Sequence, residues 1–327
     1  VLFRSGFGTF IQDVNVGPKT KKGGISLTPS DQKQRTSLYY PLNNTEFLRV
    51  CAQGIKQGGM YLLGGQPGIG KSTFALQLLS DIQGVKSISC AYFSWEEDAS
   101  QITERQVRLW CDINLDMYHA TRLEDILLTI DEKNYDLIIV DSIQTIYSVW
   151  VDSIAGAPNQ VKYCSEKLSE YCKQSNTTCF VIWHVTKWWE IAGPKYLEHI
   201  VDVVLYLEGD NQWELRFLRC RKNRFGSTDE IGIFEMSPTW LQAVHNLKEH
   251  IISQHNESLP GNVLTVWLDN GRAVLVQLEV LLNKCYGKYP TRVAQGVDPK
   301  RLQIICAILD RYYKLNLGNY DIYVNIP

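Results

Sequence analysis

Apolar positions along this chain fall into short, nearly continuous runs separated by stretches of helical spacing. "GMYLLGG" (59–65), "SISCAYFSW" (87–95), "YDLIIVDSI" (135–143), "TTCFVIWHV" (177–185) and "VDVVLYLEG" (201–209) have strand length and little alternation. Between them, "KSTFALQLLSDI" (71–82), "SQITERQVRLWC" (100–111) and "PNQVKYCSEKLSEYCKQ" (158–174) have helical character. Strands apolar on both faces, interleaved with helices, predict an α/β fold with a mostly parallel sheet covered on both sides. Past residue 210 the pattern changes. "WELRFLR" (213–219), "EIGIFEM" (230–236) and "TWLQAV" (239–244) alternate apolar and polar, as antiparallel strands added to one edge would.

A second unit is predicted from about residue 248. In "GNVLTVWLDNGRAVLVQLEVLL" (261–282), Asp269-Asn270-Gly271 separates two strand-like runs, a strong hairpin signal. "DPKRLQIICAILDRYY" then opens with Asp298 at an N-cap and Pro299 at the first helical position. Strand, strand, helix, strand gives a small α+β domain over 248–327, after a main domain over 38–247. Residues 1–37, polar and rich in Gly and Lys, read as an arm or linker. The absent initiator Met and the stop just after a strand-like run suggest a fragment at both ends. No internal repeat is visible.

Composition narrows the partners more than the fold. A chain of 327 residues, 45% hydrophobic, can bury one large core and a smaller one. Thirty-three basic against thirty-five acidic residues give a net charge of −2, so contact with nucleic acid would need a local patch. No apolar run is long enough for a membrane span. The nine cysteines contain no C-x-x-C pair, which argues against a zinc knuckle. Several sit in apolar runs and read as small buried hydrophobes in a reducing cytoplasm.

The chemistry concentrates in "GGQPGIGKST" (64–73). Gly65-x-x-x-x-Gly70-Lys71-Ser72, between a strand and a helix, is the phosphate-binding loop pattern. The loop Gly65, Gln66, Pro67, Gly68, Ile69, Gly70, Lys71, Ser72 and Thr73 would hold the nucleotide, its glycines letting backbone N–H groups turn inward on phosphate oxygens at a helix N-terminus. Lys71 would reach the β and γ phosphates of ATP, and the Ser72 hydroxyl would ligate Mg²⁺. Asp141 ends the apolar strand "LIIVD", where a carboxylate can hold the metal's water shell. Hydrolysis needs a further carboxylate to orient water, and "AYFSWEED" offers both Glu96 and Glu97 at a strand end. An acid at that place suits a RecA-like motor better than a small-molecule kinase.

"DSIQT" (141–145), "HVTK" (184–187), "IAGPKYLEHIVDVVLYLEGD" (191–210) and, above all, "KNRFG" (222–226) followed by "EIGIFEM" resemble the bacterial RadA (Sms) DNA repair family. The likeness runs from about residue 24 to the end. It implies a RecA-like ATPase domain followed by a Lon-protease-like domain, a homo-hexameric ring on single-stranded and branched DNA, branch migration, and a RecA-type recombinase as partner. It implies Glu96 as the residue activating water, Lys222 and Arg224 as charges reaching a neighbouring subunit's triphosphate, and His184 as a sensor of the γ-phosphate. A structural histidine is the competing reading for His184, and a solvated strand edge for "RFLRCRKNR" (216–224).

Three features depart from that family. Its amino-terminal four-cysteine zinc finger, expected before "GFGTFIQDV", is either truncated or lost, Trp188 and Trp189 replace a usual Glu-Gly pair, and the second domain is cut before any protease Ser and Lys. No peptidase activity is therefore expected. The loops 146–157 and 187–194 are the expected DNA path. There Lys187 would meet phosphate and Trp188 and Trp189 would stack on bases, unless the tryptophans pack inward instead. Two rival functions stay open: a RecA-like ring ATPase acting on a protein without DNA, and a non-catalytic DNA-binding scaffold.

Overall fold

The computed structural model describes residues 38–111, 113–184, 194–209, 215–237, 241–244, 260–269 and 272–326. Two short strands, β1 (Tyr39–Tyr40) and β2 (Ile55–Lys56), pair antiparallel beside a central nine-stranded sheet. Six strands run parallel: β3 (Met60–Gly65), β4 (Cys90–Ser94), β5 (Asp116–His119), β6 (Leu137–Asp141), β7 (Thr178–His184) and β8 (Val203–Gly209). Onto β8 fold β9 (Leu215–Asn223), β10 (Ile231–Met236) and β11 (Leu241–Ala243), each antiparallel to its neighbour. The spatial order is β11-β10-β9-β8-β3-β7-β6-β4-β5. A mostly parallel sheet with an antiparallel edge is thus what the change of hydrophobic period predicts.

Successive side chains of β3 show how the sheet is buried. Tyr61 and Leu63 enter one core with Phe74, Leu78 and Ile82 of α2 (Lys71–Gln83), whereas Met60 and Leu62 enter the other. That second core is closed by Ile126 and Ile130 of α4 (Leu123–Lys133) and by Val161, Cys164 and Leu168 of α5 (Pro158–Ser175). α3 (Ala99–Arg108) contributes Ile102 to the first core. Continuous apolar runs are required because both faces are covered. All nine cysteines are free thiols, seven of them buried, as small core hydrophobes should be. Among the described residues no helix is long and apolar enough to cross a membrane.

Four elements of this sheet and its layers escape the hydrophobic runs. The stretch 112–134 contains β5 and α4, although Leu123, Ile126, Leu127 and Ile130 do follow helical spacing. α1 (Thr45–Cys51) is only seven residues long and depends on its cap, Asn44 Oδ1 accepting from the N–H groups of Glu46 and Phe47. α6 (Pro194–Ile200) is equally short and leads into β8.

A four-stranded sheet follows, in the order β12 (Asn262–Asp269), β13 (Arg272–Lys284), β15 (Tyr320–Asn325), β14 (Arg292–Gln295). Asp269 pairs with Arg272, the register expected of the Asp-Asn-Gly hairpin. α7 (Pro299–Tyr313) starts where Asp298 accepts from the Arg301 N–H, and it packs Leu302 and Cys306 on Ile322. β14 pairs parallel to β15 and was not visible in the apolar pattern. Leu264 and Leu275 of this sheet pack against Leu215, Ile231, Ile233 and Val244 of the larger one.

Phe47 is the joint between α1, α2 and the antiparallel edge. Its ring lies 4.8 Å from that of Phe74 and 5.0 Å from that of Phe234. Phe47→Ala should lower unfolding stability by about 3–5 kcal/mol, read as an earlier midpoint in urea unfolding.

Candidate nucleotide-binding and active site

The strand β3 delivers the glycine-rich loop at the carboxyl end of the parallel sheet. A Cβ on Gly65 would sit 2.6 Å from the Leu207 carbonyl oxygen of β8, so the tight approach of the two strands demands glycine. Gly68 (φ 76°) and Gly70 (φ 106°) take left-handed backbone, which turns the loop back toward α2. The helix starts at Lys71 with no side-chain cap and no acid in its first turn, leaving its N–H groups and dipole for an anion. Lys71 is 3% exposed. Its Nζ donates to the carbonyls of Gly65 at 3.0 Å and Gln66 at 2.9 Å. Burial pushes this ammonium down to about 8, partly opposed by the charges of Asp141 and Glu96.

Opposite the loop stands Asp141, 5% exposed at the end of β6. Its Oδ2 accepts from Ser72 Oγ at 2.6 Å and from the Tyr92 hydroxyl at 2.5 Å. The two adjacent acids after β4 have different surroundings. Glu97 is held by Arg105 of α3 in a bidentate pair at 2.5 and 2.6 Å. Glu96 faces the cleft, with Ser142 Oγ donating to it at 3.4 Å and His184 Nε2 3.6 Å away.

His184 ends β7, and its backbone is locked by both ends of the Gln144 amide, at 2.9 and 3.0 Å. Burial, then the charge of Lys71, lowers the imidazole's pKa below its ordinary value, so the ring is neutral at pH 7. Its two ring nitrogens are buried and, among the described residues, have no hydrogen-bond partner. These groups line a cleft of about 620 Å³, together with Arg105 and Arg108. An uncapped helix start, a buried cation, a hydroxyl–carboxylate pair and an unsatisfied imidazole fit a Mg²⁺–nucleoside triphosphate.

Residues 44–130 match the DnaB-like helicase C terminal domain. The chain is 41% identical over 316 residues to the DNA repair protein RadA of Rickettsia conorii, covering 96% of this chain and 70% of that protein. It is 40% identical over 290 residues to the RadA of Campylobacter jejuni, covering 88% of this chain and 64% of that one. This chain belongs to the RadA DNA repair protein family. The KaiC-like protein PH0186 of Pyrococcus horikoshii superposes with a TM-score of 0.51 at 17% identity, over 64% of this chain and 98% of its own. A further solved ATPase domain reaches a TM-score of 0.57 at 12% identity. At such identities these show the fold, which is RecA-like.

The RadA signature KNRFG lies away from the cleft. Lys222 stands opposite Val204, which stands opposite Leu62, three residues before the end of β3. Its Nζ donates to the Glu198 carbonyl, to that of Val201 at 2.7 Å and to that of His199 at 3.4 Å, closing the end of α6. Arg224 pairs with the buried Asp202 at 3.1 Å. The other basic residues of 216–224 are engaged too. Arg219 and Arg221 reach Glu208, and Arg216 Nε donates to the Ile69 carbonyl of the phosphate loop at 3.3 Å. This edge is therefore not a row of solvated charges within the subunit.

Lys187, Trp188 and Trp189 lie outside the described residues. The loop 146–157 is described and is pinned by Gln160, whose amide binds the backbone of Ser148, Val151 and Ser153. Trp150, at 77% exposure, projects from it.

Four cleft residues were missed from the sequence, Arg105, Arg108, Ser142 and Gln144, as was Tyr92, buried behind Asp141. Arg105 had a signal, since it lies on α3 eight residues after Glu97, which precedes that helix. Because burial holds Lys71 at about 8 in the free protein and a bound polyanion raises its pKa, triphosphate affinity should be level between about pH 7, where the terminal phosphate is largely ionised, and pH 8. Above pH 8 it should fall by roughly tenfold per unit. Titration of a fluorescent ATP analogue at fixed ionic strength reads this directly. Level affinity across that range would mean that the buried ammonium does not meet the phosphates.

Proposed function

We propose that this chain hydrolyses ATP as a DNA-dependent motor in recombinational DNA repair, driving branch migration of recombination intermediates on single-stranded DNA. The observation that carries the reading is the convergence of Lys71, Ser72, Asp141, Glu96 and His184 on one cleft. Lys71 exchanges its two loop carbonyls for β and γ phosphate oxygens. Mg²⁺, held by Ser72 with Asp141 behind it, would supply charge neutralisation at the same oxygens. Glu96 orients the attacking water, and what supports it over Glu97 is that Arg105 occupies both oxygens of Glu97. A neutral His184 offers one N–H toward the γ-phosphate and so reports its presence.

Lys222 and Arg224 lie too far along the strand to serve their own subunit's loop: three to five residues at about 3.3 Å each, and two strands over. That distance favours action on the triphosphate of the next subunit in a hexameric ring. On this reading Lys187, Trp188 and Trp189, with the loop 146–157, contact single-stranded or branched DNA, and a RecA-type recombinase is the partner in the cytoplasm. The stretch 248–327 is then the Lon-like scaffold of the ring. The chain spans about two thirds of the length of the RadA proteins it matches.

Several measurements decide this. ATP turnover should rise with single-stranded DNA. Turnover indifferent to DNA, with no gel shift, would favour a ring ATPase acting on protein. Lys71→Ala should abolish turnover. Glu96→Gln should keep ATP binding and lose roughly 10²-fold or more in rate, while Glu97→Gln loses less, and the reverse order would sink the choice between them. Mixing Lys222→Ala with Lys71→Ala subunits should recover some active interfaces. Mixed rings that form but stay inactive at every ratio would exclude action across the interface.

A further inference from the structure

The carboxylate of Asp141 takes two hydrogen bonds on one oxygen. Ser72 and Tyr92 both donate to Oδ2, at 2.6 and 2.5 Å, while Oδ1 lies 3.8 Å from His184 Nε2 on the cleft side. The two donors differ in what holds them. Ser72 sits in the first turn of α2, part-exposed at the mouth of the phosphate loop. Tyr92 is 0% exposed, in the middle of β4, with its ring in the core shared by Ile139 and Ile102. β4 and β6 are neighbours in register, Tyr92 level with Ile139 and Ser94 with Asp141, so the phenol leans along the sheet toward the strand end.

We propose that Tyr92 is the positioning residue of the metal site, fixing Asp141 so that its free oxygen faces the bound cation. The inference rests on the ATPase reading above, in which the Ser72 oxygen also serves Mg²⁺. A hydroxyl can offer a lone pair to a cation while its proton stays on Oδ2, so the cation as well as the carboxylate then sets where it sits. The phenol is held by the core alone, and its bond keeps the carboxylate rotamer wherever the hydroxyl settles. Partners behind a metal's ligands commonly set its affinity in this way. The part-exposed hydroxyl has to serve the cation and the carboxylate together, whereas the core-packed phenol serves the carboxylate alone.

Tyr92→Phe removes one oxygen and leaves the ring in place, so folding is testable separately by thermal unfolding. Affinity for a fluorescent ATP analogue in EDTA should stay within about twofold of the parent. The Mg²⁺ concentration giving half of the metal-dependent tightening should rise by roughly tenfold. In an Asp141→Asn background, Tyr92→Phe should shift that midpoint little further, because the two act as one unit. An unchanged Mg²⁺ midpoint overturns the inference. So does an equal shift in both backgrounds, or a fall in melting temperature and metal-free affinity with the midpoint unmoved, which is the mark of a merely structural tyrosine. A parent whose nucleotide affinity ignores Mg²⁺ overturns the ATPase reading itself, and the inference with it.

Discussion

The cleft is organised by an ammonium buried against two backbone carbonyls. Lys71 has almost no water, and its nearest partners are the dipoles of Gly65 and Gln66. Dipoles compensate a desolvated cation incompletely, which is why its pKa falls toward 8. A loop built to bind a polyanion is therefore held in a less favourable electrostatic state until the anion arrives. The remaining features accord with that: glycines that admit the backbone fold and a helix start left uncapped.

Rigidity at this corner comes from the sheet. β3 is flanked on both sides by parallel partners and sends alternate side chains into two separate cores. On one flank the loop is backed by β8 and β9, where Gly209 leaves room for Ile69 and Arg216 donates to the Ile69 carbonyl. On the other, β7 places His184, and β6 and β4 place Asp141 and the Glu96–Glu97 pair at neighbouring strand ends. The antiparallel edge thus supports the nucleotide loop as well as completing the sheet.

Much of this was legible in the sequence because it is local. The phosphate loop is contiguous, Asp141 ends an unmistakable apolar strand, and the change from continuous to alternating hydrophobicity marks the antiparallel edge. What was hidden depends on contacts between distant positions. Glu96 and Glu97 are equivalent as letters, and only Arg105 on the next helix separates them. Tyr92 reads as one more core aromatic, and nothing local shows that its hydroxyl meets Asp141 forty-nine residues on. The basic run 216–224 looks unpaired because carbonyl groups, Glu208 on β8 and Asp202 just before it are invisible to a charge count. α1 and α6 are too short for a periodic signal, each being two turns or less.

Lys222 and Arg224 both make bonds inside their own subunit that the proposed action across an interface would have to break. Within the subunit, Lys222 closes the carbonyl end of α6, and Arg224 neutralises the buried Asp202, whose other oxygen accepts the Met60 N–H at the start of β3. The two bonds are not equally easy to give up. Lys222 leaves neutral carbonyls carrying about half a negative charge between them, and a triphosphate is a far stronger attractor for an ammonium already depressed by burial and by Arg224. Arg224 would leave a nearly buried carboxylate without its cation, a larger loss than that of neutral carbonyls even though the guanidinium itself is half exposed. If one of the two crosses to the neighbouring subunit at little expense to its own, the physical ordering selects Lys222, with Arg224 staying to hold Asp202 against β3.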